Sequence, residues 1–195
     1  MLGKKPKGVK PTEERIKSIQ ARAGKISKIL HSTKEVEARI NAAIARSCTL
    51  VLGDHKNLNL LKKVSESMEK ARIPSFWAKI DGSNVNDILK SKLFMKDSDF
   101  IVMIDGRGAG TVGESHYAIS NEKIASKLHL FVHSSNEKDV WDYKKHYVFF
   151  PRFGFWDSEK SLLESAAKVA EKEIRRLAYL EIVRETQCWG CPKYA

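Results

Sequence analysis

The chain has no aromatic residue before Phe76 and only three cysteines in 195 residues. It also lacks any apolar run near the ~20 residues that a membrane helix needs. No membrane partner is therefore expected. The opening "MLGKKPKGVKPTEER" carries the charge of a signal peptide without the apolar stretch that follows one. The expectation is a cytoplasmic protein. Two of the cysteines, Cys188 and Cys191, form "CWGC". A zinc site needs two more ligands, and no second CxxC exists. A thioredoxin-type pair follows a strand and opens a helix, whereas this one follows a long helical pattern. The reading is a thiol-bearing tail over 187–195, with a zinc or disulfide link between two copies as the alternative. Cys48, inside an apolar run, reads as a core residue. No metal or cofactor is called for.

Positive charge is what the chain has in excess, a net +11. It is concentrated: residues 1–34 hold ten lysines and arginines against Glu13 and Glu14. Residues 1–11, rich in lysine, proline and glycine, read as a disordered basic tail. A basic arm neutralises phosphates, so it is a candidate nucleic-acid contact. It is equally a solvated tail or a helix for an acidic partner. Base stacking by the arm is excluded, because it has no aromatic side chain.

From Thr12 a capping-box pattern opens a helical extension over 12–47, with apolar residues at helical spacing in two successive segments. The pattern then changes. Short apolar runs at 48–53, 74–80, 99–105, 128–133 and 146–150 alternate with amphipathic segments. The helix ahead of the third strand is expected to turn Val85, Ile88, Leu89 and Leu93 inward. One helix is expected over 111–126. A long helix follows the fifth strand, and its apolar stripe offers more surface than one small sheet uses, so a homo-oligomer is expected. Alternating strands and helices predict a parallel sheet with right-handed crossovers. The fold class is α/β: a flavodoxin-like, Rossmannoid five-stranded parallel sheet in the order 2-1-3-4-5, with helices on both faces, over 48–186. Ligands of such sheets lie at the switch point, beyond the carboxyl ends of strands 1 and 3.

Two sequences meet there: "LGDHKN" after strand 1 and "DGRGAGTVGE" after strand 3. The second packs Gly106, Gly108, Gly110 and Gly113 into eight residues and then starts a helix. Glycines permit close approach, and the free N–H groups of a helix start attract an anion. A phosphate fits both. The bland alternative is a tight turn. Thr111 reads as the helix cap or as a phosphate ligand. The segment is neither a Rossmann fingerprint, which belongs after the first strand, nor a P-loop, since no GK[ST] follows.

Glu114 opens two readings. A carboxylate in a first helical turn is worth ~0.3–1 kcal/mol against the helix dipole. A carboxylate facing a ligand attacks an anomeric carbon or stabilises an oxocarbenium ion. Asp105, at the end of strand 3, is the second candidate. Gly53 and Asp54, after strand 1, are candidate ligand contacts, with Asp54 equally suited to cap the next helix. Arg152 in "FFPRFGFW", taken to follow strand 5, is placed near enough to meet phosphate.

"GAGTVGE" (108–114) resembles the G-x-G-T-x-x-E of the cytokinin-activating phosphoribohydrolases, the Lonely guy family of the SLOG superfamily. "ESHYA" (114–118) is similar to the E-x-x-Y-A of nucleoside 2-deoxyribosyltransferases. The resemblance covers Cys48 to about Phe150. It implies a flavodoxin-like fold and cleavage or exchange of an N-glycosidic bond, with Glu114 as nucleophile or oxocarbenium stabiliser and Gly108, Gly110 and Thr111 on phosphate. The chain departs from the pattern in two places. Gly108 stands where deoxyribosyltransferases keep an aspartate, and no arginine pair lies between Gly53 and Asp99. The expected function is that of a nucleotide or nucleoside N-glycosidase or deoxyribosyltransferase acting on a small-molecule nucleotide. The alternatives are a non-catalytic nucleotide sensor and a nucleic-acid-associated protein that works through its arm.

Overall fold

The computed structural model describes residues 13–14, 17–18, 20–21, 33–78, 85–105, 109–136 and 152–188. Helix α1 (Thr33–Arg46) leads into β1 (Thr49–Leu52). A 3-10 turn (His55–Asn57) then runs into α2 (Leu58–Lys70), followed by β2 (Ser75–Trp77) and α3 (Val85–Asp97). Next come β3 (Phe100–Ile104), α4 (Ala109–Ile119), the short α5 (Glu122–Ala125) and β4 (Leu128–His133). The last two elements are β5 (Arg152–Trp156) and α6 (Glu159–Cys188). The five strands form one sheet in the order β2-β1-β3-β4-β5, and every pair is parallel. This is the flavodoxin-like order, with its switch point between β1 and β3. The chain divides into two compact units, and the sheet belongs to the one spanning 40–179; the other joins 1–39 to 180–195. No helix among the described residues is long and apolar enough to cross a membrane.

The strands alternate strictly between two faces, as a period of two demands. Leu50, Leu52, Ile101, Met103, Leu128, Leu130 and Val132 build one core cluster with Met95 of α3 and Ala118 of α4. The opposite face carries Val51, Val102 and Phe131, also buried. There Ser67 of α2 donates to the Leu163 carbonyl of α6, and Lys63 pairs with Glu159 at 2.7 Å. Both faces of β1, β3 and β4 are thus covered, which is why these strands read as unbroken apolar runs.

Four expectations are corrected. The fifth strand is Arg152–Trp156, not 146–150, which lie outside the described residues. The helix expected over 111–126 begins at Ala109 and breaks after Ile119; Asn121 then caps α5, its side chain accepting from the Ile124 N–H. Leu89 and Leu93 do not face inward: they are 52% and 55% exposed, while Ser91, Met95 and Ser98 are buried. The segment starting at 187 is not all tail, since α6 continues to Cys188; Cys191 lies outside the described residues.

Candidate functional site

At the carboxyl ends of β1 and β3 the backbones come very close. Leu52 stands opposite Met103 in the register. One residue on, a Cβ at Gly53 would lie 3.1 Å from the Ile104 carbonyl oxygen and 2.8 Å from Leu61 Cδ2. Gly53 is therefore tightly enclosed between β3 and α2, and any side chain there must displace the Leu61 methyl and press on the Ile104 carbonyl. Asp54 turns its carboxylate back to accept from the Lys56 N–H at 3.0 Å, capping the 3-10 turn. Of its two readings, the cap is the one with an observed bond. Asp105, half-buried, continues β3 and donates its N–H to the Phe131 carbonyl at 2.8 Å. The fold thus brings Gly53, Asp54 and Asp105 to the carboxyl end of the sheet, as the topology required. Gly106 and Gly108 lie outside the described residues.

Helix α4 starts at Ala109, so Gly110 and Thr111 are its second and third residues. Thr111 is therefore not the cap. Glu114 is the sixth residue, in the second turn rather than the first. That weakens the dipole explanation, since the effect falls off within the first turn. The Glu114 side chain is instead turned toward α3, where the Ser91 hydroxyl donates to Oε1 at 2.8 Å. Burial pushes the Glu114 carboxyl up to about 7, and the Ser91 hydrogen bond pulls the other way. Burial disfavours the charged form, and a donor favours it. Near neutral pH the group is thus divided between acid and carboxylate. Beside it, Lys92 of α3 places its ammonium 4.8 Å from the centre of the Tyr117 ring.

Ser91 was not singled out by sequence reasoning. The leucines of α3 drew the inward face toward Leu89 and Leu93, whereas the inward face carries Ser91 and Met95, followed just past the helix end by the buried Ser98. A signal existed: Ser91, Met95 and Ser98 repeat at spacings of four and three, as one helical face does.

Arg152 is displaced from the site altogether. It begins β5, at the amino end of the sheet, and binds Glu173 of α6 through Nη1 and the Ser126 carbonyl through Nη2 at 3.1 Å. Arg176 donates to the same glutamate from Nε at 2.6 Å. His129 stands next to Arg152 in the register of β4 and β5. It is buried, and neither ring nitrogen has a hydrogen-bond partner.

No family model and no curated protein matches the chain. Among solved structures it is similar to a diflavin flavoprotein A3 from Nostoc sp., with 12% identity and a TM-score of 0.42, covering 72% of this chain and 97% of that one. It is also similar to a metal-soaked Flv1 flavodiiron core from Synechocystis sp. PCC6803, with 12% identity and a TM-score of 0.44. That match covers 72% of this chain and spans 38% of the other. The fold assignment rests on the observed strand order rather than on these likenesses.

Proposed function

We propose that this chain is an enzyme that cleaves or exchanges the N-glycosidic bond of a nucleotide or nucleoside, with Glu114 at the reacting carbon. One observation carries the reading. A half-buried carboxyl on the helix leaving β3 is held by a buried serine and brought to about 7. A perturbed acid at a switch point is a functional-site candidate on physical grounds. An apolar side chain there would cost the fold less.

In this reading the ionised Glu114 forms a bond from a carboxylate oxygen to C1′, or faces the oxocarbenium ion without closing it. The C1′–N bond breaks, and the base leaves with the electron pair and takes up a proton. Water then releases the sugar in a hydrolase, or a second base takes it in a transferase, and the carboxylate is restored. Asp105 is the second carboxylate of the site. Gly106, Gly108, Gly110 and Thr111, with the start of α4, are assigned to the phosphate. Gly53 and Asp54 border the ligand from β1.

The test is release of free base from a panel of nucleoside 5′-monophosphates and 2′-deoxynucleosides, resolved by chromatography. Wild type is expected to release base from at least one. Glu114→Gln is expected to fold, bind the same compound and lose at least ~10²-fold in rate. Retained turnover by Glu114→Gln overturns the reading. Binding without turnover in wild type identifies a sensor instead.

A further inference from the structure

The serines of α3, α4 and α5 and of the turns that close them behave alike, with one exception. Ser98 donates its hydroxyl to the Phe94 carbonyl, Ser115 to Val112, Ser120 to Tyr117 and Ser126 to Lys123. Each bond reaches three or four residues back along its own segment, the ordinary fate of a helical serine. Ser91 does not do this. It is 1% exposed, and its hydroxyl crosses from α3 to α4 to reach a carboxylate 23 residues further along the chain. A buried serine that gives up the local bond for another helix's side chain is specifying that side chain's place.

We infer that Ser91 is a positioning residue for Glu114: its hydroxyl fixes the carboxylate by Oε1 and leaves Oε2 as the oxygen that meets the substrate. The inference rests on the N-glycosidic reading for what Oε2 meets, but the Ser91–Glu114 couple stands without it. A glutamate has three side-chain torsions, and a bond at one oxygen removes most of that freedom before substrate arrives. Such pre-organisation is how a supporting side chain contributes to rate.

The couple also lowers the pH at which Glu114 ionises, against the larger effect of burial. Titratable groups on the elements around it are Lys90, Lys92, Lys96 and Asp97 on α3, His116 and Tyr117 on α4, and Glu122 and Lys123 on α5; α3 also carries Asp87, whose side chain lies outside the described ones. The sheet face beneath is apolar, with Ile101, Met103 and Leu130. None of the groups with a described side chain enters the balance at Glu114, which is burial against the Ser91 hydrogen bond. Removing the hydroxyl leaves burial unopposed, so the carboxyl holds its proton to higher pH.

The experiment is a carbon-13 NMR titration of the Glu114 carboxyl, its resonance assigned by comparison with Glu114→Gln. Measurements cover wild type, Ser91→Ala and Ser91→Thr. Ser91→Ala is expected to raise the proton affinity of Glu114 roughly tenfold, and Ser91→Thr, which keeps the hydroxyl, to return it toward wild type. If Ser91→Ala disturbs packing, Ser91→Cys fills nearly the same volume with a weaker donor and gives a smaller displacement in the same direction. On the compound that wild type turns over, Ser91→Ala is expected to lower kcat with KM nearly unchanged, and its acidic limb is expected to move up with the titration. An unmoved titration, or one that moves equally in Ser91→Thr, overturns the inference and leaves the N-glycosidic reading intact. Retained turnover in Glu114→Gln overturns that reading and leaves the titration result standing.

Discussion

Gly53 and Ile104 approach so closely at the ends of β1 and β3 that a Cβ on residue 53 would sit 3.1 Å from the Ile104 carbonyl oxygen and 3.3 Å from its Cβ. Backbone cannot retreat as a side-chain tip can. The Leu61 methyl, 2.8 Å from the same point, would also have to move. The carboxyl ends of β1 and β3 are therefore braced against each other and against α2 by packing.

Gly53→Ala is accordingly expected to destabilise the fold by about 1–3 kcal/mol, the usual cost of overpacking a closed position. Urea unfolding measures it. A midpoint within error of wild type would show that β1 and β3 can part without cost, and the brace would fall.

Glu114→Gln is expected to stabilise the protein in a pH-dependent way. Gln keeps an acceptor for Ser91 and has no proton to lose. The wild-type carboxyl ionises near 4.5 in the unfolded chain and at about 7 in the folded one. Between those values the folded Glu114 holds the proton that the unfolded one has lost, so its contribution to stability falls as pH rises and the loss is complete above about 7. The variant's advantage is absent below about pH 4.5 and reaches a plateau above about 7, with roughly 3 kcal/mol as its ceiling at ~1.4 kcal/mol per pH unit. Thermal melts at the two ends of that range check it, and an advantage that does not grow with pH counts against a buried carboxyl.

Some of this was legible in the residues, and some was not. The strand order followed from apolar runs alternating with amphipathic ones, and the run at 128–133 coincides with β4. β5 was misplaced because its sequence, "RFGFW", has a charge and a glycine where an apolar residue is expected. Gly154 is there because His129 and Phe131 of β4 press on it: a Cβ would lie 2.9 Å from His129 Nε2 and 2.8 Å from the Phe131 ring. That constraint comes from a neighbouring strand and leaves no local trace. The inward face of α3 was misread for a related reason. Hydrophobicity pointed to Leu89 and Leu93, while the fold spends that face on Ser91 and Met95. Glu114 was visible through its position after β3, but the serine that holds it showed only as one member of a helical spacing that the leucines outweighed.

Glu173 is a buried carboxylate on α6 shared by two arginines, its side chain 8% exposed against 41% for Arg152 and 49% for Arg176. Burial pushes its carboxyl up, but the hydrogen bonds and charges of Arg176 and Arg152 outweigh that and hold it below its ordinary value. A depressed carboxylate adds stability above its unfolded pKa and loses it as pH falls through the folded one. Glu173→Ala is expected to cost about 1–3 kcal/mol at neutral pH, less than a fully buried pair because both arginines are half in water. The difference from wild type should shrink as acid protonates Glu173. A cost that stays constant with falling pH would mean that lost packing, not charge, is responsible.

His129 offers the opposite case, a buried base with nothing to bond. Its ring lies 4.7 Å from that of Phe131, centre to centre, and neither nitrogen has a partner. Burial, helped by the Arg152 charge and opposed by Glu173, pushes it down to about 4 from an ordinary 6.5. Between those values the unfolded chain binds the proton and the folded one refuses it. The His129 contribution is thus fully present above about pH 6.5 and is lost as pH falls toward 4, by roughly 3 kcal/mol at most. His129→Leu, apolar and of similar reach, removes that dependence. Its unfolding free energy is expected to match or exceed wild type near pH 5, and its advantage over wild type should grow as pH falls from about 6.5 to 4. Urea titrations at closely spaced pH values measure both slopes. A variant whose difference from wild type stays constant over that range would show that His129 does not couple folding to protonation there.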